Sequence, residues 1–374
     1  MHPSALYSRA APTWREKLAE VNWGLILLIS CLASAGFAAL TAAAGGSVDP
    51  WAGRQAARFA VFLPAMVAVA LIPLRVWYAL AWPAYFGTFA LLVAVEVMGH
   101  IGMGAQRWIN LGFVQVQPSE LMKVALVLAL ARYFHGAPGE AVRSPVFLLP
   151  PIAAIAAPMA LVLVQPDLGT AAVLGLAGAA VLFLAGAPLW LFGGGLVALA
   201  AAVPVAWHCL HDYQRARVLT FLNPSADPLG AGYHITQSKI AIGSGGLWGK
   251  GFGEGTQARL HFLPEQQTDF IFALWAEEWG FAGGAGLLAL VGLIVVYGLW
   301  AALSCRAGFA RLLALGLTVN FALYVFINTG MVMGLLPVVG VPFPLMSYGG
   351  TSMLAVMGGF GLVMSAYVHR AGRL

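Results

Sequence analysis

Long apolar runs alternate with short polar connections along this chain. Ten runs stand out, at about 22–43, 56–74, 77–99, 118–135, 145–164, 168–186, 189–208, 269–300, 308–333 and 345–368. A helix needs roughly 20 such residues to cross the hydrocarbon core of a bilayer. The pattern predicts an all-α integral membrane protein of about ten transmembrane helices, with residues 1–374 forming one polytopic domain. Pro64, Pro83, Pro158 and Pro204 fall inside runs and should kink them, which packed neighbours tolerate by satisfying the freed carbonyls. The first run is longer than a signal-peptide core and reads as a retained span. Ahead of it, within segment 1–21, "WREKLAEV" reads as an interfacial cytoplasmic helix.

Basic residues set the direction. With the N-terminus inside, the inner segments hold Arg9, Arg15, Lys17, Arg75, Arg132, Arg143, Arg306, Arg311, Arg370 and Arg373. The short outer connections hold only Arg54, Arg58 and Arg107. Both termini are therefore expected to be cytoplasmic. The segment 209–268, between the seventh and eighth runs, becomes one large extracytoplasmic loop. It has too few apolar residues for a core of its own, and a loop so long is usually functional or disordered. Its "GSGGLWGKGFGEGTQ" fails as a phosphate loop, because Ser244 stands where the first glycine belongs and Gly251 follows Lys250. Glycine flexibility is the expectation there.

Composition strengthens the membrane reading. The chain is 61% hydrophobic and 9% charged, too little charge to cover a soluble protein of 374 residues. Cys31, Cys209 and Cys305 are scattered, which argues against a disulfide framework or a thiolate metal site. His208, His211 and Asp212 lack a third strong ligand and read as a solvated cluster. No nucleic-acid partner is expected.

The few ionisable residues in or beside the runs carry the chemical information. "VQPSELMK" and "VQPDLGT" each place an acid, Glu120 or Asp167, beside a proline at a helix start. Proline suits the first helical turn, and an acid there complements the positive helix end. That accounts for Asp167 as well as a functional role does. Glu120 differs, because Lys123 follows one turn deeper; the two form an internal ion pair or line a cavity. Asp269 sits where a polar loop meets the eighth run, with Thr268 as a plausible helix cap and Glu277 and Glu278 following. Glu120, Asp167, Asp269 and Glu277, with Lys123, Lys239, Arg107, Arg215 and Arg217, supply both signs of charge for an outer cavity. Basic groups suit a phosphate-bearing substrate. Carboxylates suit a general base or a divalent cation bridging that phosphate.

"FLPEQQTDFIFALWAEEWG", "QRWINLG", "QPSELMK", "QPDLGT", "QSKIAIGSGGLWGKG" and "PFPLMSYGGTS" together resemble the SEDS family (shape, elongation, division and sporulation) over essentially the whole chain. "FLPEQQTDF" and "PVVGVPFPLMSYGG" are similar to its elongation branch more than to its division branch, although Gln267 stands where that branch commonly has His. The resemblance implies a peptidoglycan glycosyltransferase of the bacterial cytoplasmic membrane that polymerises lipid II at the outer face. It implies a class B penicillin-binding protein as partner, and Asp269 as the catalytic carboxylate. Glu120, Lys123, Asp167 and Lys239 match further functional positions of the family.

The chemistry then expected is an inverting displacement: Asp269 as general base on a sugar hydroxyl, lipid pyrophosphate as leaving group. Lys123 and Lys239, then Arg215 and Arg217, are the candidates to stabilise the departing charge, with Mg2+ or Mn2+ as a further aid. Two other readings compete. Kinked helices and intramembrane charges also suit a lipid II flippase, and a scaffold recruiting a transpeptidase would need no catalytic ions.

Overall fold

In a computed structural model the described residues are 13–372, apart from 99, 103–104, 111–114, 210–214, 216–218, 221–222, 224–230, 261 and 264. A short α1 (Trp14–Ala19) comes first, closed by a reciprocal cap in which Thr13 and Glu16 satisfy each other's backbone N–H groups. Then follow α2 (Trp23–Ala43), α3 (Ala52–Leu71) and α4 (Leu74–Met98). After a strand segment come α5 (Pro118–Tyr133), α6 (Gly139–Arg143), α7 (Pro145–Val164), α8 (Leu168–Leu184) and α9 (Leu189–Cys209). The remainder is α10 (Ala231–Ser244), α11 (Thr256–Arg259), α12 (Ile271–Leu303), α13 (Gly308–Val332) and α14 (Gly350–Val368).

Each of the ten apolar runs thus coincides with a helix. Seven of these helices, α2, α3, α4, α7, α12, α13 and α14, are long and apolar enough to cross a membrane. The last run starts late: residues 345–349 form turns, with Leu345 at φ 65°, before α14 begins. Pro64, Pro83, Pro158 and Pro204 all lie inside helices.

Burial orders the bundle. α13 and α14 are the most buried of the membrane-crossing candidates, whereas α3 and α4 expose most of their length. Apolar side chains such as Val61, Phe86, Leu196 and Val197 face outward, as lipid-facing positions do. α13 packs against α5, α8, α12 and α14, and contributes to both large apolar clusters of the core. Close approach depends on small residues: Gly316 of α13 lies against Val127 and Val181, and Gly298 of α12 against Thr318.

Two features depart from the expectation. First, the fold is not purely helical. Between α4 and α5 an antiparallel sheet in the order β1 (His100–Gly102), β2 (Ala105–Asn110), β3 (Gln115–Val116) replaces the expected plain connection. Its strands are too short for a period-two pattern to stand out. Second, the long loop carries α10 and α11, and Gly245, Gly249 and Gly255 in it pack tightly against α12, whereas Gly243, Gly246 and Gly253 have open space. α12 breaks at Gly280 (φ 66°, ψ −165°). The segment 246–251 enters that break and exchanges backbone hydrogen bonds with it. Lys250 N–H donates to the Glu277 carbonyl (3.1 Å) and Gly251 N–H to the Glu278 carbonyl (3.0 Å). Phe281 and Ala282 in turn donate to the carbonyls of Gly246 (2.8 Å) and Leu247 (3.0 Å). The groups orphaned by the broken helix ladder are thereby satisfied, as a low-dielectric setting demands.

Gly249 has φ 83°, and a Cβ there would collide with the Glu278 carbonyl. Gly243, in α10, has open space around it. Gly249→Ala should therefore lower stability by about 3 kcal/mol or more, while Gly243→Ala should be neutral or slightly stabilising. Thermal unfolding of the two purified variants in detergent checks this; equal midpoints would mean that the clamp contributes nothing.

Candidate functional site

Asp269 does not occupy the first turn of a helix. Phe270 is the N-cap of α12, it caps with no side chain, and the first turn of α12 holds no acid. Thr268 Oγ1 donates instead to the carbonyl of Glu265 (3.2 Å) and to its carboxylate (3.1 Å). The expected capping by Thr268 is thus absent, and with it the ordinary structural reason for an acid here. Asp269 lies half-buried in a turn that is clamped from two sides. Asn328 Nδ2 donates to the carbonyls of Asp269 (2.9 Å) and Val341 (2.7 Å). Ser347 Oγ donates to the Thr268 carbonyl, and Tyr348 N–H to that of Gln267 (2.8 Å). The Gln267 side chain donates to Glu265 (3.1 Å). Gly340 leaves room beside the carboxylate: a Cβ there would sit 3.4 Å from Asp269 Oδ2.

One helical turn before Asn328 on the same face of α13 stands Tyr324. Its hydroxyl donates to Glu120 Oε2 (2.8 Å). Lys123 Nζ donates to Glu120 Oε1 (2.7 Å) and lies 4.2 Å from the Tyr324 ring centroid. The predicted Glu120–Lys123 pair is therefore real and buried, with Lys123 only 1% exposed. Beside it is a cavity of about 20 Å³ lined by Glu120, Asn320 and Tyr324 among apolar residues, room for about one water. Asn320 Oδ1 has no hydrogen-bond partner among the described residues. Four residues of helix rise about 6 Å, so α13 holds the ion pair and the Asp269 turn one step apart.

The connection 333–349 gathers three more of the predicted residues. Asp167 is the N-cap of α8, accepting from Thr170 N–H (3.1 Å) and Thr170 Oγ1 (2.9 Å). Pro166 consequently precedes the helix instead of occupying its first turn, the reverse of Pro118 in α5. Arg107, from β2, reaches Asp167 (3.6 Å) and donates to the Gln165 carbonyl (3.3 Å) and to that of Pro166. The start of α8 packs at Gly169 against the Val339 carbonyl, next to Gly340. Lys239, exposed on α10, lies against Gly334 at the other end of the connection.

Other predicted residues lie elsewhere. Glu277 is fully buried, and its Oε1 accepts from Lys250 Nζ (2.6 Å), Gln257 N–H (3.0 Å) and Thr256 Oγ1 (3.2 Å), tying down the loop. Arg215 donates to the carbonyls of Trp207 (2.9 Å) and His208 (2.8 Å) at the end of α9. Arg217, His211 and Asp212 lie outside the described residues. Sequence reasoning passed over Tyr324 and Asn328, although Asn320, Tyr324 and Asn328 recur every four residues through an otherwise apolar run. It also passed over Gln55, whose side chain joins the Ser347 carbonyl (2.9 Å) to α3.

The sequence pattern of the FtsW/RodA/SpoVE family, described as cell cycle proteins, matches residues 18–372. The chain belongs to this family. It is 48% identical over 320 residues to the peptidoglycan glycosyltransferase MrdB of Escherichia coli K12, covering 85% of each chain. To the MrdB of Helicobacter pylori strain 26695 it is 37% identical over 291 residues, 76% of this chain and 75% of that one. Among solved structures, RodA of Thermus thermophilus superimposes with a TM-score of 0.72 at 32% identity, covering 94% of this chain and 98% of that one. A chain from a peptidoglycan synthase complex that coordinates polymerization and crosslinking superimposes at 0.81 and 35% identity, with 94% and 98% coverage.

Removing one partner of the buried pair strands the other. Lys123→Met or Glu120→Gln alone should each cost about 3–5 kcal/mol, and the double variant clearly less than their sum. Unfolding of the four proteins in one detergent checks the coupling; additive losses would show that the pair is not energetically joined.

Proposed function

We propose that the chain is a peptidoglycan glycosyltransferase of cell elongation, polymerising lipid II at the outer face of the bacterial cytoplasmic membrane. In this reading the ten helices cross the membrane, both termini are cytoplasmic and the loop 209–268 is outside. The observation that carries the proposal is the Asp269 turn. A half-buried acid sits on a turn whose backbone carbonyls are held by Asn328 and Ser347; its Oδ2 faces the bare backbone of Gly340, and the turn stands one helical step from the Glu120–Lys123 pair.

Asp269 then serves as the general base. It takes the proton from the acceptor sugar hydroxyl as the oxygen attacks the anomeric carbon of the donor sugar. The bond from that carbon to the lipid pyrophosphate breaks on the opposite side, so configuration inverts and no covalent enzyme intermediate forms. The leaving pyrophosphate gains charge. We assign the stabilisation of that charge to Lys239, exposed beside Gly334, and to Arg107, which the pyrophosphate would share with Asp167 over the start of α8. Lys123 is committed to Glu120 and acts by fixing the wall. A divalent cation, Mg2+ or Mn2+, enters only as a companion of the pyrophosphate. Among the described residues no three His, Cys, Asp or Glu groups converge as a metal site. A hard cation held mainly by phosphate and water needs just one or two carboxylates. A class B penicillin-binding protein is the proposed partner, in line with the synthase-complex neighbour.

Purified chain reconstituted with lipid II, with and without partner and Mg2+, should make glycan strands. Asp269→Asn should fold, bind the partner and lose about 10²–10⁴-fold in rate. Equal rates would remove Asp269 as base. No strands from wild type under any condition would favour the flippase.

A further inference from the structure

A second cavity, of about 560 Å³, lies between the α2–α3 turn and the loop segment 252–259. Its walls include Asp49, Trp51, Phe252, Glu254, Arg259 and Glu278. The size falls within the range of small-molecule sites. None of the residues assigned above to glycosyl transfer lines it.

The charges are unbalanced in one direction. Arg259 is paired with Glu254 on the exposed rim (3.3 Å). Glu277, which does not line the cavity, is met by Lys250. That leaves Asp49 on the rim and Glu278 within. Glu278 is 2% exposed; one carboxylate oxygen accepts from Gly253 N–H (3.1 Å), and the other, Oε2, is buried with no partner among the described residues. A carboxylate placed this deep calls for a cation to complete its coordination. The walls disfavour an anion, since their one cation is already taken. Trp51 and Phe252 add aromatic surface, which suits an organic ammonium.

We infer that this cavity binds a primary ammonium group carried on a flexible chain, with Glu278 as its counter-charge and Asp49 at the mouth. The ammonium preference stands on the cavity itself. Its assignment to the amine of a peptidoglycan stem peptide rests on the function proposed above. Glu278 follows the start of α12 by two turns, about 10 Å, and a peptide spans that with three or four extended residues. The cavity would then fix the peptide arm while its sugar sits near Asp269.

Binding to the full chain in detergent tests this without any turnover. The probes are Nα-acetyl-L-lysyl-D-alanyl-D-alanine, the same tripeptide acetylated on Nε, spermidine, and Mn2+ alone, titrated by calorimetry. The free-amine tripeptide should saturate wild type, and Nε-acetylation or Glu278→Gln should weaken it about tenfold or more; Asp49→Asn should weaken it less. Equal binding of both tripeptides, or saturable Mn2+ binding lost in Glu278→Gln, would overturn the ammonium site. Spermidine binding without tripeptide binding would overturn the stem-peptide assignment. If Glu278→Gln does not fold, the acetylation comparison on wild type still decides. Tripeptide binding by a wild type inactive on lipid II would fault the glycosyltransferase reading and leave the cavity standing.

Discussion

Polar groups inside a bilayer-spanning bundle must find one another, and α13 is where this chain arranges that. Tyr324 and Asn328, four residues apart, take up Glu120 on one side and the Asp269 backbone on the other. Neither contact is an isolated convenience. Without Tyr324 the buried carboxylate of Glu120 would keep, among the described residues, Lys123 alone; without Asn328 the Asp269 and Val341 carbonyls would lose a shared donor. Because α13 also packs against α5, α8, α12 and α14, the same helix that satisfies these groups fixes their spacing. The geometry of the site is therefore a by-product of the rule that orders the core.

The connection 333–349 makes that spacing three-dimensional. Its backbone runs past Lys239 at Gly334, past the start of α8 at Val339 and past Asp269 at Gly340, then returns through Ser347 and Tyr348 to the turn before α12. Groups from three separate stretches of sequence meet along one irregular segment. Such a segment inside a packed bundle is tolerable because side chains and neighbouring backbone satisfy it, and Gln55 and Asn328 do part of that.

Much of this was legible beforehand, and the reasons differ from element to element. The ten helices followed from run length, since an apolar stretch near 20 residues has few alternatives. The Glu120–Lys123 pair followed from i,i+3 spacing. Asp167 read equally as an acid complementing a helix start or as a functional group; it stands one step earlier, as the N-cap itself, and Arg107 also reaches it. The sheet was not legible, because strands of two to six residues leave no period to detect. Nor was the placement of Glu277: adjacency to Glu278 says nothing of a helix break that sends the two side chains to different partners. Gly245, Gly249 and Gly255 of the glycine-rich loop misled for a related reason. Absence of a side chain marks both mobility and tight contact, and only the neighbours distinguish them.

The break at Gly280 turns α12 from one 33-residue rod into two, joined by a foreign piece of chain that supplies the missing hydrogen bonds. The joint is therefore ternary: upper rod, lower rod and the 246–251 segment share one register. Loop length is consequently constrained at this joint: an extra residue between Gly246 and Gly251 would slide every donor past its acceptor. It would tilt one half of the helix against the other, and with it the turn that carries Asp269.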